Sequence, residues 1–264
     1  MHRLAVMALL LLSAICALAQ VTQSTSLSDP LAVSLAQKSV AALTAGLPVS
    51  DVTLSANVIS ILGSDSETGT GTFEAKGIAA SRVDLNLNGG PRTDVRNAAN
   101  GVPAGAWEKN VGASTSDAQH NCWTDAAWFF PALSSLAQTA SPNFVFKYIA
   151  QEQHGGVTVQ HIRAFQILPG DTSSLQLSQH LSAMDFYLDP ASYLPLAVAF
   201  QIHADTDMNT DVAIEVRLAA YQVVSGFQVP FHFQRMLNGG VVLDVTVTNA
   251  AVNTGLADSL FTLP

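Results

Sequence analysis

The side chains best suited to chemistry are few and widely separated. The densest run is Asp205-x-Asp207-x-Asn209-x-Asp211, in which alternate oxygens could converge on a hard cation such as calcium. Thr210 stands where such a loop needs its sharp-turn glycine, and Val216 fills the twelfth position, where a bidentate glutamate belongs. The run is therefore expected to be an acidic hairpin tip indifferent to calcium. Beyond His2 there are six histidines: His120, His154, His161, His180, His203 and His232. None forms a short-range pair of the kind zinc sites use. His203 and His232 fall on the polar phase of alternating segments, which turns them toward solvent. Cys122 lies in Asn-Cys-Trp beside an aromatic run, a setting for buried packing rather than nucleophilic attack. A His120/Cys122 dyad would need side chains two apart to meet and a third group to orient the imidazole. No metal and no cofactor are expected.

Enzyme signatures are missing where sequence alone would show them. There is no Gly-x-Ser-x-Gly elbow, and no serine stands three residues before a lysine. Gly69-Thr70-Gly71 leads into Thr72-Phe73-Glu74 inside a strand pattern, not into a phosphate-binding loop. Gln151-Glu152-Gln153-His154 runs straight into a Gly-Gly turn instead of continuing as a zinc-binding helix. The chain is expected to be non-catalytic, a hydrolytic site assembled from distant residues being the open alternative.

Composition narrows the class. Twenty acidic against eleven basic side chains give 264 residues a formal charge of −9. No positive field exists to gather phosphates, which excludes a nucleic-acid binder. Only 12% of residues are charged and 48% are hydrophobic, which excludes a disordered chain. Residues 1–19 join a basic start at His2 and Arg3 to an apolar run and close on Ala17-Leu18-Ala19, the pattern of a secretory signal cleaved before Gln20. Ile15 before Cys16 is not the small residue a lipid-modification box requires. An exported protein of the periplasm or outer envelope is expected, with a flexible leader at 20–29 and one domain over 30–264. Cleavage leaves Cys122 as the sole thiol, so an apolar core must supply the stability.

The elements that position these residues follow from periodicity. Asp29 as N-cap, Pro30 at the first helical position and Gly46 past the end bracket one amphipathic helix, 30–45. After Pro48 the period becomes two, as in Val52/Leu54/Ala56/Val58, Val83/Leu85/Leu87, Leu196/Val198/Phe200/Ile202, Val212/Ile214/Val216/Leu218, Phe227/Val229/Phe231/Phe233 and Val241/Leu243/Val245/Val247. These predict antiparallel strands with one wet face. Gly155-Gly156 and Asn238-Gly239-Gly240 predict tight hairpins. Trp123–Ala140, carrying Trp128, Phe129, Phe130, Leu133 and Leu136 and broken by Pro131, predicts a kinked helix. A short helix is expected near Ser174–Leu181.

The C-terminal third carries a family resemblance. Tyr187-Leu188-Asp189-Pro190, Leu194-Pro195-Leu196, Tyr221, Ser225-Gly226-Phe227-x-Val229-Pro230-Phe231, Asn249 and Asp258-Ser259-x-Phe261-x-x-Pro264 follow one another as in the LolA/LolB/LppX-like superfamily of bacterial envelope lipoprotein carriers. The chain resembles an exported relative of these proteins. The resemblance implies an α+β fold, in which an antiparallel, incompletely closed β-barrel wraps around two main helices and holds an apolar cavity for acyl chains. The carriers also use an inward arginine, for which Arg82, Arg92 and Arg96 are candidates by region, although alternation turns Arg82 outward. The expected ligand is a lipid or other apolar small molecule, with peripheral contact to the envelope. The cavity is expected between Trp128 and Phe129 on the central helix and a sheet face made of Leu196, Val198, Phe200, Ile214, Val216, Phe231, Phe233 and Val245, with Gln201, Glu215, Arg217, Gln234 and Asp244 outside. The rival reading is an assembly module whose helices fill the barrel and leave no ligand space.

Overall fold

The computed structural model describes residues 27–110, 112–170 and 175–263. The expected signal, most of the 20–29 leader and Pro264 lie outside the described residues.

Helix α1 (Pro30–Thr44) leads into β1 (Asp51–Leu62), β2 (Asp65–Lys76), β3 (Ala80–Leu87), β4 (Gly90–Asn97), β5 (Ala104–Lys109) and β6 (Ser114–Ser116). After a non-strand segment come β7 (Phe144–His154), β8 (Val157–Gln166), α2 (Gln176–Ser182), β9 (Met184–Leu188), β10 (Pro195–Ala204), β11 (Asp207–Val224), β12 (Phe227–Leu237) and β13 (Gly240–Val252). All thirteen strands form one antiparallel sheet in the order β6-β5-β4-β3-β2-β1-β13-β12-β11-β10-β9-β8-β7. Two meanders are thus zipped together by β1 against β13, with Val52 opposite Val252 and Val58 opposite Val245. The free edges are β6 and β7, so the barrel is not closed by hydrogen bonds. The residues between those strands join one edge to the other.

Turn chemistry sets the register. At Asn238-Gly239 and Gly155-Gly156 both central residues have positive φ, the mirror-image turn that matches strand twist. The period-two apolar residues then fall inside: Val52, Leu54, Ala56, Val58, Phe73, Val216, Leu218, Val229, Phe233, Val245 and Val247 are all buried in one core. Helix α1 adds Ala32, Leu35, Ala36 and Leu43.

Three features depart from the sequence expectations. Trp123–Ala140 is not a kinked helix but a series of turns with short 3₁₀ pieces at Pro131–Leu133 and Ser135–Ala137. Pro131 keeps Phe130 out of the helical region (φ −136°, ψ 87°), and Ser134 is extended (φ −105°, ψ 178°), so no α-helical run survives. Of the two main helices expected, only α1 is long; the other α-helix is the short α2. Asp29 does not cap α1 with its side chain. Its carboxylate instead accepts from the Tyr148 backbone N–H (3.1 Å) and from Lys147 Nζ (3.3 Å), pinning the helix start to β7.

Candidate functional site

The interior divides into a filled centre and an open end. In the centre Phe73 meets Phe129 and Phe233 edge-on at 5.4 and 5.2 Å between ring centroids, and Trp128 stands perpendicular to Phe129 at 5.4 Å. These contacts close the space between the 117–143 segment and the sheet. At the end of the barrel where the β1–β2, β3–β4, β10–β11 and β12–β13 hairpins turn, a cavity of about 510 Å³ opens. Leu62, Val83, Leu85, Ile202, Ile214 and Leu243 supply apolar wall, and Trp128 forms part of the lining on the side of the insert. Its rim bears large apolar side chains left in solvent: Leu62 (55% exposed), Trp107 (44%) and Leu237 (39%).

A charged throat adjoins this chamber. A second hollow of about 210 Å³ shares Asp94, Trp128, Ile202 and Arg235 with it and adds Arg96, Asp117 and Asp205. Arg235 is the next inward position after Phe227, Val229, Phe231 and Phe233, since it pairs with Val216 and Leu243, both core residues. Burial pulls its guanidinium below the ordinary arginine pKa, against the opposing pull of Asp94 and Asp117. Arg96 is anchored to the insert through the Asn121 carbonyl (2.9 Å) and Thr124 Oγ1 (3.3 Å). Burial, reinforced by Asp94, pushes the Asp117 carboxyl up to about 6, with Arg96 opposing. Below the throat the buried Asp125 is likewise raised to about 6 by desolvation, although it accepts from Ser135 N–H and Oγ at 2.9 Å each.

The ten cavity residues expected from sequence are distributed as follows. Ile214 and Trp128 line the chamber, and Phe200 lines the throat beside Trp128. Val198, Val216, Phe233, Val245 and Phe129 are buried in the packed centre. Phe231 is half-buried against that core. Leu196 sits at a bulge between Pro195 and Ala197, which takes it out of the phase of Val198 and Phe200. The bulge leaves it half-buried.

Among the candidate arginines, Arg82 faces outward and binds Asp84, while Arg92 reaches inward from β4 to Ser60 Oγ (3.0 Å) and Glu67. Arg235 was not among the candidates. The signal for it was present, because the inward alternation of β12 continues two residues past Phe233.

Two histidine expectations also change. His232 pairs with Asp244 at 2.9 Å on the outer face and is half-buried. His203 has the outward phase expected of it but is not in solvent, being only 4% exposed. The outer surface there is covered by His180 of α2 and by His120 of the insert, whose rings lie 4.6 and 5.9 Å from its own. Alternation reports which face a side chain takes, not what later chain covers that face.

Comparison with known proteins bears on the architecture. The chain matches no protein-family model and no curated protein sequence. Among solved structures, it aligns with a domain from Vibrio parahaemolyticus assigned to outer membrane lipoprotein sorting, at TM-score 0.55 and 13% identity, over 88% of this chain and 96% of that one. A DUF1329 family protein from Desulfovibrio piger aligns at TM-score 0.53 and 10% identity, over 88% and 96%. A LolA superfamily protein from Nitrosomonas europaea aligns over 88% and 97% at TM-score 0.47 and 10% identity. One open antiparallel barrel around a helix and a folded insert is therefore a fold that this chain shares with the Vibrio parahaemolyticus domain and the Desulfovibrio piger protein.

Proposed function

We propose that this protein binds and carries an apolar, lipid-like molecule in the bacterial envelope, as a non-catalytic carrier exported by its N-terminal signal. The observation that supports this reading is the chamber of about 510 Å³. It falls within the range of about 300–1,000 Å³ usual for small-molecule sites. Apolar walls would hold an acyl chain at roughly 25 cal/mol per Å² removed from water. Arg235 and Arg96 stand beside the chamber, where they could face a polar or anionic head. Leu62, Trp107 and Leu237 on the rim offer an apolar landing surface for a membrane or for a second carrier.

Fold likeness adds support, since one structural neighbour is assigned to lipoprotein sorting. A specific observation also favours the rival reading of a filled assembly module. The Phe73/Phe129/Phe233 cluster occupies the barrel centre, so any ligand is confined to one end. Native mass spectrometry with lipid extraction, on protein purified from its own envelope, separates the two. A carrier emerges with an apolar passenger and an N-terminus at Gln20. Repeated emergence of ligand-free protein supports the module instead.

A further inference from the structure

We propose that His180, His203 and Asp211 form a binding site for one divalent transition-metal ion of the zinc class, which would clamp α2 to the β10–β11 hairpin. Sequence spacing hid this group, because its members lie on three elements. His180 is on α2, His203 on β10, and Asp211 on β11 directly opposite His203 in the strand register. One donor atom from each lies within 4.8 Å of the others, and among the described residues no other group of three His, Cys, Asp or Glu side chains meets that condition.

The distances suit a metal better than they suit the direct contacts. Nε2 of His203 is 3.3 Å and Nε2 of His180 is 3.8 Å from Asp211 Oδ1. Two ligands bound tetrahedrally at 2.0–2.2 Å stand roughly 3.4 Å apart. Two imidazoles and one carboxylate are the donor set of zinc sites that keep a fourth position open. This set is too nitrogen-rich for calcium or magnesium, which take oxygen.

The independent observation is His203 itself. Its side chain is buried, yet neither Nδ1 nor Nε2 has a hydrogen-bond partner. The 3.3 Å approach to Asp211 lacks hydrogen-bond geometry. A buried polar group without a partner carries a desolvation cost of about 1–3 kcal/mol, and a metal bond would satisfy the nitrogen facing Asp211. His180 Nε2 rests 2.7 Å from the Met208 carbonyl oxygen and would exchange that contact for the ion. His120 Nε2 is engaged by the Ala204 carbonyl at 3.1 Å, which leaves it beside the site rather than in it. Ile202, next to His203, lines both chamber and throat, so the clamp would sit directly behind the candidate ligand space.

The test needs no lipid, so its outcome is separate from that of the carrier reading. Titrate the full chain, metal-stripped, with zinc chloride by calorimetry, and repeat with cobalt to read its visible ligand-field bands. One ion per chain is expected, with cobalt bands of tetrahedral type. His180→Gln and Asp211→Asn lie toward the surface and leave the core packing untouched. Each should weaken zinc binding about tenfold or more, while His232→Gln, on β12 and paired with Asp244, should not. Circular dichroism of each variant checks that it is folded. Absence of binding by the unaltered chain overturns the proposal, as does binding that survives both His180→Gln and Asp211→Asn.

Discussion

The Arg235 guanidinium lies over the indole of Trp128, 5.0 Å from its ring centroid, where the apolar chamber meets the charged throat. Strand β12 contributes the cation and the insert contributes the aromatic face. The contact therefore ties the sheet to the segment that spans its open edges. A buried guanidinium over indole is worth about 2 kcal/mol when desolvated, set against a desolvation cost of several kcal/mol.

Arg235→Met removes the contact and the desolvation cost together but leaves Asp94 and Asp117 to Arg96 alone, so it should lower the unfolding free energy by up to about 3–5 kcal/mol. Binding of an anionic amphiphile should fall about tenfold, or ~1.4 kcal/mol. A neutral amphiphile of equal chain length should be held as before. Parallel urea melts and competitive dye displacement check the two halves.

Phe233→Ala removes a ring that contacts Phe73 and lies in the packed centre. It should cost about 3–5 kcal/mol. Leu237→Ala, two residues beyond Arg235 and on the exposed rim, should cost less than about 1 kcal/mol. Chemical denaturation of both variants gives the comparison.

The acid side of the stability profile should carry a distinctive sign. Asp125 and Asp117 have folded-state pKa values near 6, above the ordinary 3.8. Between those values these two groups bind more protons in the native state than in the unfolded chain, so their contribution to stability rises as pH falls from 6 toward 4 and is flat above 6. His203, held below the ordinary imidazole pKa by burial, acts in the opposite sense below 6.5. Asp51, Asp185 and Asp189 are shifted the other way, so their contribution is lost only as pH falls below about 4. Both donors to Asp125, from Ser135, end on the same oxygen, which an asparagine can reproduce. Asp125→Asn should therefore be neutral or stabilising at pH 7.5 and should flatten the slope between pH 4 and 6. Thermal melts across that range measure it.

The Asp205–Asp211 loop should ignore calcium. Asp207 folds back on Asn209 N–H (3.0 Å) and Thr210 Oγ1 (2.6 Å), Asp205 lines the throat, and Asp211 faces His203. Its carboxylates diverge, so no oxygen cage forms. Millimolar calcium should leave the melting temperature unchanged; a rise of several degrees would show selective binding to the native state.

Much of this architecture was legible in the sequence. Period-two runs marked the strands, Asn238-Gly239-Gly240 and Gly155-Gly156 marked hairpins, and Pro30 with Gly46 bracketed α1. The insert looks helical because Phe129, Leu133 and Leu136 stand at i, i+4 and i+7, whereas Pro131 and the non-helical Phe130 and Ser134 interrupt the turns. Leu196 was misplaced by one bulge, which sequence does not announce. Apolar density in the sequence is a poor guide to open volume. The densest aromatic region packs shut, and the open volume lies toward the hairpin ends, where the aliphatic Leu85, Ile202 and Leu243 line it.

Occupation of this chamber by apolar ligands can be read from the uptake of a solvatochromic fatty-acid probe. Leu85→Trp fills volume from a half-buried wall position without introducing charge, and Glu215→Gln on the outer face serves as control. With both variants folded by circular dichroism, Leu85→Trp should weaken probe binding about tenfold, or ~1.4 kcal/mol, and Glu215→Gln should bind like the unaltered chain. Equal binding by all three, or none by any, would mean that the chamber does not take apolar ligands.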